Sequence, residues 1–78
     1  MTKEEIKEII CDVANIEKIS DEEPLMTGGI IDSFSTLILI SKLELKYNVE
    51  IVLEGINIDD IDSVNKIYTL LQNKRNES

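Results

Sequence analysis

The stretch from Thr27 to Ile40, TGGIIDSFSTLILI, decides how this chain folds. Its glycine pair is typical of a turn, and the Asp-Ser pair that follows stands directly before a long apolar run. Asp32 is a favoured residue at a helix N-cap, because its carboxylate can accept a hydrogen bond from a backbone N–H of the first turn. The stretch therefore predicts a loop that leads into a helix from Ser33 to about Tyr47.

The predicted helix is apolar on two sides. At about 100° per residue, one arc is formed by Leu39, Ile40, Leu43 and Tyr47. The nearly opposite arc is formed by Phe34, Leu37, Ile38, Ser41 and Leu45. Lys42 and Lys46 lie at one boundary between the arcs. A surface helix needs only one buried stripe, so the second arc is either enclosed by other helices or available to a partner.

Upstream of this helix, the sequence predicts another helix and a long loop. Thr2 and Glu5 have the spacing of a capping box. The apolar stripe of the first helix extends over about four turns and consists of Ile6, Ile9, Ile10, Val13 and Ile16. Cys11 falls off this stripe, so we expect it to be partly exposed and unreactive. The loop KISDEEPLMTGGI is predicted to be pinned to the core by Ile19, Leu25 and Met26.

Downstream of Tyr47, the segment YNVEIVLEGINIDDIDS is predicted to be a loop with a short helical turn around residues 59–61. Its NVEIVL part has the composition of a strand, but a lone strand would have no partner in an otherwise helical chain. Asp62 or Ser63 is expected to cap the last helix, and residues 73–78 are expected to form a flexible polar tail. The apolar stripe of the last helix consists of Val64, Ile67, Tyr68 and Leu71.

These segments predict an all-α fold in which residues 1–78 form a single domain. The expected architecture is a small four-helix bundle, with three longer helices and one short third helix. Hydrophobic residues make up 42% of the 78 residues, which is enough for one modest core. They are mostly Ile, Leu and Val, so the core is expected to be aliphatic.

Composition excludes several classes of function. Sixteen acidic residues against eight basic ones give a net charge of −8, which disfavours binding to nucleic acid and to anionic membrane surfaces. With one cysteine and no histidine, an intramolecular disulfide, a Cys/His zinc site and His-based catalysis are excluded. The acidic segment NIDDIDS lacks the ligand order and central glycine of a calcium-binding EF-hand, so no metal site is expected. The charged N-terminal residues and the lack of a long apolar run predict a cytoplasmic protein without membrane insertion. The protein is also expected to be a monomer.

Ser33 has two interpretations from its position alone. Because the chain has no histidine and no Gly-x-Ser-x-Gly motif, Ser33 is not a credible catalytic nucleophile. In the simpler interpretation, the Asp-Ser pair only caps the helix. In the other, Ser33 is modified with a phosphate ester, of which phosphorylation is one form, since a helix N-terminus favours added negative charge.

The segment GGIIDSFSTLILISKLELKYNVEI resembles the attachment region of acyl carrier proteins and their relatives, the peptidyl and D-alanyl carrier proteins. In that family, an Asp-Ser-Leu motif or a close variant contains the serine that receives 4′-phosphopantetheine from coenzyme A. The order of the helices, the acidic-Pro-Leu element of the long loop and the segment DIDSVNKIYTLL are also similar to the family. The resemblance covers nearly the whole chain.

The resemblance implies that Ser33 is the phosphopantetheine attachment site and that Asp32 helps to present it to a phosphopantetheinyl transferase. Such a carrier is not an enzyme; its arm holds an acyl or aminoacyl group as a thioester. The other implied partners are a loading ligase, adenylating enzyme or acyltransferase, and a downstream synthase or transferase. The implied docking positions on the second helix are Phe34, Leu37, Ile38, Ser41 and Leu45.

The second helix departs from the carriers of fatty-acid synthesis, which resemble one another in placing several acidic residues there. Here only Asp32 and Glu44 are acidic. A more hydrophobic contact is similar to that of carriers that serve peptide synthetases, polyketide enzymes or D-alanine transfer. The sequence therefore predicts a stand-alone acyl or aminoacyl carrier of a specialised pathway. The alternative is a small acidic helical interaction protein that binds a partner helix through Phe34, Leu37, Ile38 and Leu45.

Overall fold

A computed structural model describes residues 1–52 and 55–76 of the chain. It contains three α-helices, α1 (Lys3–Ala14), α2 (Ser33–Tyr47) and α3 (Val64–Asn76), and a 3-10 turn (Ile58–Ile61) between α2 and α3. No strand occurs in these residues, which confirms the all-α prediction and the bounds of the second helix. The short third helix is the 3-10 turn, and Leu53 of the NVEIVL segment lies outside the described residues.

The first helix begins at the predicted capping box. The Thr2 hydroxyl accepts a hydrogen bond from the Glu5 N–H (3.2 Å), and the Glu5 carboxylate accepts one from the Thr2 N–H (3.1 Å). The helix ends earlier than its apolar stripe predicts, because Asn15 adopts a left-handed conformation with φ of 57°. Ile16 therefore lies beyond α1 and is exposed, so its assignment to the buried stripe was wrong.

The core is aliphatic, as predicted, and α1 packs against both α2 and α3. Ile19 and Leu25 of the long loop are buried, and Met26 is partly buried against the core. The loop is thus pinned by the three residues expected to do so. The most deeply buried helical side chains are Ile6, Ile10, Leu39, Leu43, Val64, Ile67 and Leu71.

The last helix differs from the prediction at its C-terminal end. Its first turn is capped by Ser63, whose hydroxyl accepts a hydrogen bond from the Lys66 N–H (3.2 Å). The helix continues to Asn76, so residues 73–76 are helical and were wrongly predicted to be a flexible tail. Lys74 and Arg75 lie in the last turn, where positive charge stabilises the C-terminus of a helix. Residues 77 and 78 lie outside the described residues, in which no helix is long and apolar enough to cross a membrane.

Candidate functional site

Ser33 is the first residue of α2 and is exposed. Asp32 caps the helix in an extended conformation, and its carboxylate accepts a hydrogen bond from the Ser35 N–H (2.7 Å). The Asp32 carbonyl accepts a further hydrogen bond from the Thr36 hydroxyl (2.8 Å). The Ser33 hydroxyl makes no hydrogen bond to any described residue. Hydrogen bonds to Asp32 therefore hold the first turn of the helix, while the Ser33 hydroxyl is exposed and can react.

The Asp32 carboxylate is held in its charged form. The hydrogen bond from the Ser35 backbone lowers the pKa of Asp32 below its ordinary value, and the Ser35 side chain lowers it further. Because the same carboxylate is exposed, it can contact a bound enzyme while it caps the helix. This geometry places a permanent negative charge beside the Ser33 hydroxyl.

Asp62 fixes the loop that leads into Ser33. One oxygen of its carboxylate accepts hydrogen bonds from the N–H groups of Met26 (2.7 Å) and Thr27 (3.1 Å). The other oxygen accepts a hydrogen bond from the Thr27 hydroxyl (2.6 Å). The Asp62 carbonyl also accepts one from the Leu25 N–H (2.8 Å). Asp62 therefore joins the loop to the start of α3, and of the two predicted caps only Ser63 has that role.

The glycine pair allows the loop to turn tightly before α2. Gly29 has a φ of 78°, and a Cβ atom added to Gly28 would overlap the carbonyl oxygen of Pro24. The N–H groups of Ile30 (2.8 Å) and Ile31 (3.1 Å) both donate to the carbonyl of Leu25. Ile31 is buried, one residue before Asp32, so the turn delivers Ser33 from an anchored segment.

The second arc of α2 is exposed, which is one of the two alternatives that the sequence left open. We call it the outer face of α2 and define it by Phe34, Leu37, Ile38, Ser41 and Leu45. Leu45 is 85% exposed and Phe34 is 70% exposed, so no other helix of the described part covers them. The opposite arc forms the core contact, with Leu39, Ile40 and Leu43 buried. The outer face begins beside Ser33 and continues along the helix.

Cys11 and the acidic NIDDIDS segment have structural explanations. Cys11 is partly exposed, as predicted, and burial raises the pKa of its thiol, which disfavours the reactive thiolate. In the NIDDIDS segment, Asp59 forms an ion pair with Lys66 (3.1 Å) and Asp60 accepts a hydrogen bond from the Asn57 N–H (3.2 Å). Within the described residues, no three His, Cys, Asp or Glu residues are grouped so that they could hold a metal ion.

The chain is similar in sequence to several known carrier proteins. It is 34% identical over 76 residues to a D-alanyl carrier protein from Streptococcus thermophilus, and the match covers 95% of each chain. It is 32% identical over 72 residues to the D-alanyl carrier protein of Leuconostoc citreum, with 90% and 91% of the two chains covered. A third D-alanyl carrier protein, from Staphylococcus saprophyticus, is 28% identical over 75 residues. No protein-family model matches the chain.

Proposed function

The chain belongs to the acyl and peptidyl carrier protein family, and from this premise we propose that Ser33 carries 4′-phosphopantetheine and that the cargo is D-alanine. Carriers of this family generally bear that prosthetic group. The observation that carries the proposal is the exposed Ser33 hydroxyl, which has no hydrogen-bond partner among the described residues, at a helix start fixed by Asp32. D-alanine is favoured over a peptide-synthetase or polyketide cargo because the relatives described above are named D-alanyl carrier proteins.

The surroundings of Ser33 fit a large phosphate ester. The first residue of a 15-residue helix lies where the helix dipole favours negative charge. Ser33 and Phe34 are both exposed, so an arm attached at Ser33 can extend into solvent or along the outer face of α2. When bound, the group would supply a terminal thiol that holds the cargo as a thioester.

The protein's own residues would position the arm and present it to enzymes. Asp32 and the loop fixed by Asp62 hold the attachment point, and the outer face of α2 offers an apolar contact beside it. A tethered cargo reaches each docked enzyme at a high local concentration, so the carrier needs no catalytic group of its own. The proposed partners are a phosphopantetheinyl transferase, an ATP-dependent ligase that loads the arm, and a downstream transferase, with loading in the cytoplasm.

The cargo is tested by loading the phosphopantetheine-bearing protein with the D-alanine-activating ligase of its own organism and ATP. Intact mass should show one added alanyl group with D-alanine, and treatment with hydroxylamine should remove it because thioesters are labile to that nucleophile. The protein without phosphopantetheine is the control and should gain nothing. Preferential loading of another amino acid or of a fatty acyl group would contradict the D-alanine assignment while leaving Ser33 as the attachment site.

Asp32 is predicted to act twice, as a helix cap and as a charge beside the serine. Asp32→Ala should lower the free energy of unfolding by about 1 kcal/mol, the usual cost of a lost N-cap. Asp32→Asn should keep most of the cap but lose the charge, so its stability should stay near that of the wild type. Both variants should accept phosphopantetheine at least about tenfold more slowly, about 1.4 kcal/mol in the barrier. If Asp32→Asn accepts phosphopantetheine at the wild-type rate, Asp32 acts only as a helix cap.

The outer face of α2 is predicted to bind the loading enzymes. Leu45→Glu should leave the urea midpoint unchanged within about 0.5 kcal/mol of stability, because the side chain is 85% exposed. The kcat/KM for loading should fall about tenfold, since burying a carboxylate in an apolar contact is unfavourable. Ile16→Glu is the matched control, because Ile16 is also an exposed aliphatic residue but lies outside α2. If the two variants are loaded with equal kcat/KM, the outer face of α2 is not part of the docking surface.

A further inference from the structure

The carboxylates of the α2 region are engaged within the fold. The Glu44 carboxylate accepts a hydrogen bond from the Ile51 N–H (2.9 Å) and so holds the chain that leaves α2. The Asp32 carboxylate caps the first turn of the helix. Between Phe34 and Leu45, no other acidic side chain occurs in the sequence. The outer face therefore has no uncommitted carboxylate in its central turns.

The edge of the outer face next to Ile38 carries positive charge. Lys42 and Lys46 are one helical turn apart, so they lie on the same side of α2, and both are exposed. Lys42 follows Ile38 by four residues and therefore lies beside the outer face. Lys42 forms no ion pair with any described residue. Lys46 interacts with Glu5, whose pKa it helps to lower, although the hydrogen bond from the Thr2 backbone is the largest cause.

We propose that the ligase that loads this carrier binds the outer face of α2 with an apolar surface whose edge carries a carboxylate, which pairs with Lys42. This inference rests on the proposed function and specifies the partner's chemistry. The partner's charge at this edge is thus opposite in sign to the charge expected from the carrier's net charge of −8.

Charges close to this contact affect the partner more than the net charge of the chain does, because electrostatic interactions are screened with distance. At physiological ionic strength the screening length is about 8 Å, so charges farther than that from the contact act weakly on a partner seated on α2. An ammonium group at the edge of the contact can approach a partner carboxylate to within about 4 Å. Such edge charges chiefly determine association rate and partner choice, while the apolar centre supplies most of the affinity.

The test is the kcat/KM for D-alanine loading by the ligase of the same organism, measured for three proteins between about 0.02 and 0.3 M salt. Lys42→Glu should load about tenfold more slowly than the wild type at low salt, and the difference should shrink as salt rises, because repulsion between carboxylates is screened. Lys18→Glu is the control for net charge, since Lys18 is exposed and lies in the loop after α1. It should load within about twofold of the wild type.

The remaining outcomes separate this inference from the function on which it rests. If Lys42→Glu loads as fast as Lys18→Glu, the contact is apolar only and the inference is wrong. If Lys42→Glu loads faster than the wild type, the partner edge is basic and the inference is also wrong. If the wild-type protein bears phosphopantetheine but the ligase does not load it, the D-alanine assignment fails, and the inference fails with it.

Discussion

Ser33→Ala is expected to carry no phosphopantetheine and no thioester, while it folds as the wild-type protein does. The Ser33 side chain is exposed and makes no hydrogen bond to the described residues, so its loss should change the free energy of unfolding by less than about 0.5 kcal/mol. Asp32 still caps the helix in the variant, because the cap uses the Ser35 N–H and not the Ser33 side chain. Loss of modification would therefore report the missing hydroxyl and not a damaged fold.

The matched control for this variant is Ser35→Ala, two residues further along α2. Ser35 donates its backbone N–H to Asp32, and alanine keeps that donor while it loses the further effect of the Ser35 hydroxyl on the pKa of Asp32. Ser35→Ala should accept phosphopantetheine within about twofold of the wild-type rate. Urea unfolding should give both variants a midpoint near that of the wild type. Full modification of Ser33→Ala would show that another residue is the attachment site.

Asp62→Ala is expected to have the largest effect on stability, a loss of about 3 kcal/mol. The substitution removes three side-chain hydrogen bonds and leaves the N–H groups of Met26 and Thr27 without their acceptor. In a chain of 78 residues, such a loss lowers the Tm by about 15 °C. Loading should slow as well, because the loop before Ser33 loses its hydrogen bonds to the Asp62 side chain, although the Leu25 N–H still donates to the carbonyl of residue 62. A Tm within about 3 °C of the wild type would show that the buried apolar side chains of the loop hold it without the Asp62 side chain.

Asp62→Asn separates the charge of this residue from its shape. Burial raises the pKa of Asp62, but the hydrogen bonds from Thr27 and Met26 outweigh it and leave the pKa lowered. A carboxyl group whose pKa is lower in the folded state stabilises the fold above its unfolded pKa of about 3.9. That contribution is lost as the pH falls below about 4 through the folded pKa. The wild type should therefore lose more stability than Asp62→Asn between about pH 5 and pH 2 in urea titrations, and equal losses would contradict this role.

Local signals were sufficient to predict α2 and its cap. Asp32, the glycine pair and the run from Ser35 to Ile40 lie within one short stretch, so their positions in the helix follow from sequence spacing. The two arcs of α2 followed from the same periodicity, but only the packed structure shows which arc is exposed. Resemblance to carrier proteins supplied the role of Ser33, because an exposed serine after a capping residue is not specific by itself.

The features that sequence reasoning missed depend on contacts between distant parts of the chain or on single backbone angles. Asp62 meets Met26 and Thr27, which precede it by 36 and 35 residues, and no spacing rule links them. Asn15 ends α1 by adopting a left-handed conformation with φ of 57°, although the apolar stripe of the sequence continues to Ile16. Thr36 is buried and its hydroxyl donates to the Asp32 carbonyl, and a polar residue in a helix gives no sequence signal of such burial.

The attachment of phosphopantetheine to Ser33 is tested most directly by intact mass. The unmodified protein is incubated with a broad-specificity phosphopantetheinyl transferase, coenzyme A and Mg²⁺, then digested to locate any added group. We expect the mass of one phosphopantetheine on the peptide that contains Ser33. A folded, initially unmodified protein that gains no mass would contradict the account, and the outer face of α2 would then belong to a protein-interaction module in which Asp32 and Ser33 only begin the helix.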